Sequence, residues 1–134
     1  MSLFGSLDIA GSGIGAAQTW LNTTAGNIAN MDDVSPTDEA AYGEQTPVLV
    51  PSGTVGQIGD GVSVAGIAEG DTTGIIESDP SSPEANAQGL VRVPDVQLSS
   101  QMVDMIQAQT DYQANTSVFA DAKTAYQAAL TLGS

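Results

Sequence analysis

The sequence predicts an α+β chain: paired N- and C-terminal coiled-coil-like helices with a small β-rich central segment. Three observations predict it. At the N-terminal end Leu3, Leu7, Ala10, Ile14, Ala17, Leu21, Thr24 and Ile28 alternate at spacings of four and three. At the C-terminal end Leu98, Met105, Tyr112, Phe119 and Tyr126 recur every seven residues, with Met102, Leu130 and the polar Gln109, Thr116 and Lys123 at the alternate positions. Between the two ends, glycine-broken runs of valine, isoleucine and threonine replace the helical repeat. A sustained four-three alternation lays one narrow stripe along a helix and drives it against another helix. The termini are therefore organised to pair with each other, with copies of the chain, or with both. The pattern points to assembly rather than to chemistry.

Residues 3–30 read as the first helix, about 40 Å long at 1.5 Å per residue. Gly5, Gly11, Gly13, Gly15 and Gly26 weaken it, each by roughly 1 kcal/mol against alanine where exposed. Its stability must come from packing, and its glycines let other helices approach closely. Residues 31–45 form a polar loop punctuated by Pro36 and Gly43. The runs TPVLV, GVSVAGIA and TTGII favour strands, with glycines and Asp60 marking the turns between them. A second loop, ESDPSSPEANAQG, leads to a last short strand, LVRV. Pro94 precedes the second helix, expected over 95–132, with Asp95 as N-cap and Gly133 as its stop. A further apolar stripe, Val118, Ala122, Ala125, Ala129 and Leu132, runs beside the first near the C-terminus. The chain thus divides into a helix of the helical core (1–30), an acidic loop and short-strand segment (31–94), and a second core helix (95–134).

Composition excludes several functions. The 134 residues contain no cysteine and no histidine, which removes disulfides, thiolate chemistry and the commonest general base and metal ligand. Arg92 and Lys123 are the only cationic side chains, against sixteen carboxylates and a net charge of −14. Nucleic-acid binding requires cations against phosphates, so it is not expected. Charge is also unevenly placed: residues 1–31 carry only Asp8, whereas residues 32–91 carry eleven acids and no base. An uncharged polar face on the first helix suits burial among neighbouring subunits, and the acidic centre suits solvent. No stretch has the make-up of a cleaved secretory signal or a membrane span.

Gly11-Ser12-Gly13-Ile14-Gly15-Ala16 fits the dinucleotide pattern G-x-G-x-x-G/A, with Asp32 or Asp33 near the ribose position. The confirming strand–turn–helix context is missing, because the helical repeat runs straight through the glycines. No calcium loop of the D-x-[DN]-x-[DN]-G kind is present. No catalytic residues, cofactor or metal site are expected.

Ile9-Ala10-Gly11-Ser12-Gly13, Ala17-Gln18, Leu21-Asn22 and Ala25-Gly26-Asn27-Ile28-Ala29-Asn30 resemble the N-terminal signature of bacterial flagellar rod and hook proteins. Ser82-Pro83-Glu84-Ala85-Asn86-Ala87-Gln88-Gly89-Leu90-Val91 is similar to that family's His-Pro-Asp-Ala-x-x-x-Gly-Tyr-Val segment. Val93-Pro94, Val96, Met102-Val103-Asp104-Met105-Ile106, Ala108, Tyr112, Ala114 and Asn115 resemble its C-terminal signature. The short length resembles that of a proximal rod subunit. The sequence departs from the family pattern at four places. Met31 and Asp32 replace the usual small polar continuation after Asn27-Ile28-Ala29-Asn30, and Gln101 stands where a glutamate is usual. Gln109-Thr110-Asp111 replaces Ser-Arg-Ala, and Gly43-Glu44-Gln45 follows Tyr42 where the family has basic residues.

The resemblance implies a structural subunit of the basal-body proximal rod, a hollow helical shaft crossing the periplasm and transmitting torque. It further implies type III export without a cleaved signal peptide, and no enzymatic activity. Implied partners are copies of the chain and other rod subunits, with the basal-body ring and export gate as further candidates. No nucleic acid or small-molecule substrate is implied. The expected assembly interface comprises Leu3, Leu7, Ile14, Leu21 and Ile28, then Met102, Met105, Tyr112, Phe119, Tyr126 and Leu130, with the signature residues Asn27, Asn30 and Asn115. The competing reading is an acidic soluble binding module for a cationic partner or metal, dimerised through its helices.

Overall fold

Both terminal repeats form helices, α1 (Leu3–Asn30) and α2 (Leu98–Leu132), in the computed structural model. It describes residues 3–53 and 59–132, with side chains from Gly5 onward, so the Leu3 side chain and Gly133 lie outside what is described. Four short strands lie between the helices. β1 (Gln45–Pro51) pairs antiparallel with β2 (Val62–Glu69), with an irregularity between Val48 and Leu49. β3 (Ile75–Ser78) pairs antiparallel with β4 (Leu90–Val93). Ser35 extends the second sheet by exchanging two backbone hydrogen bonds of 2.9 Å with Arg92. The architecture is α+β with two small sheets.

The second helix begins later than its sequence suggests. Gln97 supplies the carbonyl that accepts the first helical bond, from Gln101 N at 3.1 Å. Asp95 is exposed and lies before this turn, so it is not the N-cap. Buried Pro94 and Val96 hold the approach to the helix instead.

α1 packs most extensively along α2 and also contacts β1 and β2. Gly13 faces Asn115 and Asn27 faces Gln101, which fixes one antiparallel register for the two helices. The buried apolar set is Ala10, Ala16, Ala17, Ala41, Val91, Val96, Ala108 and Ala122. It is mostly alanine, and two of the three largest fully buried side chains are Gln101 and Asn27. Because each alanine removes little apolar surface from water, the polar contacts between elements carry unusual weight. β2 is tied to α1 by Ser12, whose Oγ donates to Ile9 O at 2.7 Å and accepts from Val62 N at 3.1 Å. Gly61, at φ +94°, makes room for that hydroxyl, which any Cβ there would strike.

The glycines of α1 differ in what surrounds them. A Cβ at Gly13 would lie 2.5 Å from Asn115 Oδ1, whereas one at Gly15 meets nothing within 4 Å. Gly15→Ala should therefore raise the stability of the isolated subunit by about 0.5–1 kcal/mol, the ordinary helical gain. Gly13→Ala should lose that gain by displacing Asn115. Thermal melts of the two variants, measured by circular dichroism, distinguish them.

Candidate assembly surface

The four-three stripe of α1 divides into two grades of burial. Ala10, Ala17 and Thr24 are buried, while Leu7, Ile14, Leu21 and Ile28 are half-buried. On α2 the inward face is not the one that size suggests. Gln101, Ala108 and Ala122 are buried, with Met105, Asn115 and Tyr126 half-buried beside them. Tyr112 and Phe119 are 36% and 38% exposed, at the flank of the contact. Met102, at 53%, and Leu130, at 56%, are exposed, as are Leu98, Gln109, Thr116 and Lys123. The inner alternate positions are thus 101, 108, 115 and 122 rather than 102, 109, 116, 123 and 130. Of the further stripe near the C-terminus, Ala122 alone is buried. Alanine and polar side chains face α1, with Asn115 lying against Gly13, and most of the large apolar ones lie outward.

A polar node closes the other end of the helix pair. Asn27, 1% exposed, uses the full capacity of its amide. Its Nδ2 donates to Gln45 O and to Gln101 Oε1, both at 2.9 Å. Its Oδ1 accepts from Tyr42 OH at 2.9 Å and from Gln45 N at 2.8 Å. Gln101, also 1% exposed, then donates from Nε2 to Glu44 Oε1 at 2.8 Å. α1, the loop before β1, β1 itself and α2 thereby meet at one residue. Asn30 sits one turn beyond, its Nδ2 donating to Gly26 O at 2.7 Å. Asn115, by contrast, spends its Nδ2 on Asp111 O of its own helix at 2.8 Å. Sequence reasoning identifies Asn27 through the signature but misses Gln101 as its partner.

Burial pushes the Tyr42 phenol above its ordinary value of 10.0; a hydrogen bond with Asn30 opposes this, and the charges of Glu69 and Glu44 add to it. The folded value is raised, so the contribution to stability is complete below pH 10 and lost as pH rises through the folded value. In a spectrophotometric titration the phenol missing from Tyr42→Phe should be one that ionises above pH 10.0. A missing component at or below 10.0 would contradict the node.

The acidic centre uses several carboxylates for local structure. Asp71 Oδ1 accepts from Thr73 N at 2.8 Å and Thr73 Oγ1 at 2.6 Å, and Asp79 Oδ1 accepts from Ser81 N at 3.1 Å and Ser81 Oγ at 2.6 Å. These bonds hold both carboxyls below their usual range and fix tight turns. The Arg92 guanidinium is spent inside the fold: Nη2 donates to Thr37 O at 2.6 Å and Nη1 to Thr73 O. Among the described residues no group of three or more His, Cys, Asp or Glu could hold a metal ion. The glycine motif lies wholly within α1, with no strand before it, so it has no phosphate-binding turn. No described helix is long and apolar enough to cross a membrane.

Residues 87–132 match the family described as flagellar basal body rod FlgEFG protein C-terminal. Over nearly its whole length the chain is similar to the flagellar basal-body rod protein FlgC of Yersinia enterocolitica, 38% identical with 99% of each chain covered. It is 35% identical to the FlgC of Salmonella typhimurium, again over 99% of each chain. It is 29% identical to that of Bacillus subtilis, with 99% of each covered.

Proposed function

The chain belongs to the FlgC family of flagellar basal-body rod proteins, and from that premise we propose that the outer faces of its two helices are what it presents to neighbouring rod subunits. It is a structural subunit of the basal-body rod, not an enzyme, and it assembles with other rod components. The observation that carries the proposal is the inverted grading of α2. Alanine and polar side chains face α1, while Met102, Val103, Ile106, Val118, Phe119 and Leu130 are left exposed. Large apolar side chains left exposed along a helix mark an interaction site.

In this reading a coiled-coil-like seam is completed between subunits, and repetition of one heterologous contact builds the helical shaft of the proximal rod. The acidic centre remains at the solvent side. Export through the type III apparatus without a cleaved signal, and contacts with the basal-body ring or export gate, belong to the same proposal.

Phe119→Asp tests it. Phe119 is partly exposed in the subunit, so the variant should fold, yet each assembled copy would bury an unpaired carboxylate at several kcal/mol. Rods should be missing from isolated basal bodies and cells should not swim. Glu77→Ser and Glu84→Ser, on exposed acidic residues, should change little, within about 0.5 kcal/mol. Swimming Phe119→Asp cells beside paralysed acidic-segment variants would transfer the assembling role to the centre.

A further inference from the structure

Resting on the rod-subunit reading, we propose that the outer face of α1 on one copy docks against the outer face of α2 on the next, with Asp8 and Lys123 as the charge pair that sets the contact. Asp8 is the only ionisable side chain among residues 1–31, and it is exposed. Around it the outer face of α1 is uncharged, and Cβ atoms built at Gly11 and Gly15 would meet nothing within 4 Å. Another helix can therefore approach this backbone closely.

Lys123 is the complementary singularity. Arg92 is held by the carbonyls of Thr37 and Thr73, so Lys123 is the one cationic side chain left for an external partner. It is exposed on the outer stripe of α2 between Met102 and Leu130. Its neighbours one turn away on the helix surface, Phe119, Ala120, Tyr126 and Gln127, offer no carboxylate. Neither Asp8 nor Lys123 has an ion-pair partner among the described residues.

The register brings the two to the same end of the helix pair. With Gly13 opposite Asn115, residue 8 lies level with residue 120, about 4.5 Å of helical rise from Lys123. A copy laid alongside with little axial shift places the partner subunit's Asp8 within reach of the Lys123 ammonium. The charges also choose the type of contact. Pairing α1 with α1, or α2 with α2, brings none of these opposite charges together across the contact. Pairing α1 with α2 joins them, and where that pairing is made head to tail the contact repeats without closing into a dimer.

Mixing of charge variants tests the pair. Asp8→Lys and Lys123→Asp, both at exposed positions, should fold with unchanged melting curves. Each alone should assemble poorly, with the sedimenting fraction of concentrated protein down about tenfold, because like charges then face each other. An equimolar mixture should recover most of the wild-type assembly, since alternation of the two variants sets opposite charges at positions 8 and 123 across every contact. The chain has no cysteine, so oxidising an assembled mixture of Asp8→Cys and Lys123→Cys should give a disulfide-linked heterodimer of the two variants, absent when Glu77→Cys replaces Asp8→Cys. Unchanged assembly of the single charge variants, or a mixture that stays as poor as its components, would overturn the pair while leaving the rod reading intact. Wild-type protein that never assembles, in solution or in basal bodies, would overturn both.

Discussion

Asn27→Ala is expected to lower the stability of the isolated subunit by about 3 kcal/mol, because it strips partners from several buried groups at once. The alanine leaves Gln45 N–H without the carbonyl it reaches at 2.8 Å and removes the donor that Gln101 Oε1 accepts from at 2.9 Å. It also removes the acceptor of the Tyr42 hydroxyl and one donor to Gln45 O. Tyr42 is only half-buried and can turn to water or Asn30, so its loss is the smallest. Gln101, 1% exposed, cannot. Domains are stable by about 5–15 kcal/mol, and an alanine-rich core leaves little in reserve, so the loss is a large share of the whole. Urea unfolding should show a lower midpoint for Asn27→Ala and almost none of that shift for Asn22→Ala, whose side chain is exposed on the same helix. Equal midpoints for the two would mean that the node does not join the helices.

The two long helices and the four short strands are legible in the sequence, because periodicity and β-branched runs are local signals. The start of α2 lies three residues beyond its expected place, since an aspartate after a proline looks like a cap whether or not the chain turns there. The phase of α2 is harder to read. Positions 98, 105, 112, 119 and 126 and positions 101, 108, 115 and 122 share one period of seven, so spacing cannot choose between them. Side-chain size favours the first set for the interior. The packed helices take the second set, with Asn115 lying against Gly13 where a Cβ would clash. The polar node is illegible for a different reason. A glutamine in a helix reads as surface, and its partner Asn27 is distant along the chain, so only the three-dimensional crossing shows that both are interior.

Gln101 and Glu44, where the resemblance leads one to expect a glutamate and a basic stretch, meet in space. Gln101 Nε2 donates to Glu44 Oε1 at 2.8 Å, so a neutral amide donor stands against the carboxylate. Gln101→Glu should therefore be among the most damaging single-atom-scale changes available to this chain. It would set a second carboxylate at hydrogen-bonding distance from Glu44 at a position 1% exposed. Both cannot stay ionised, and burial together with the like charge raises the carboxyl pKa in the folded state. The folded variant then binds a proton that the unfolded chain, titrating near about 4.3, gives up. The deficit is accordingly largest at neutral pH, shrinks as pH falls through the raised folded value, and is smallest below the unfolded one. A cost of about 3 kcal/mol at pH 7 corresponds to a shift of roughly two pH units. A second substitution separates this from simple disruption of packing. Glu44→Gln in the Gln101→Glu background restores one amide against one carboxylate, and should recover most of the loss in a double-mutant cycle. Glu44→Lys should recover it too, by opposing charges of unlike sign. If Gln101→Glu unfolds at the same urea concentration as wild type at pH 7, or if neither partner change rescues it, the contact between residues 44 and 101 is not what fixes α2 against the loop. Recovery by both would show that the contact between residues 44 and 101 accepts either an amide–carboxylate pair or a pair of opposite charges.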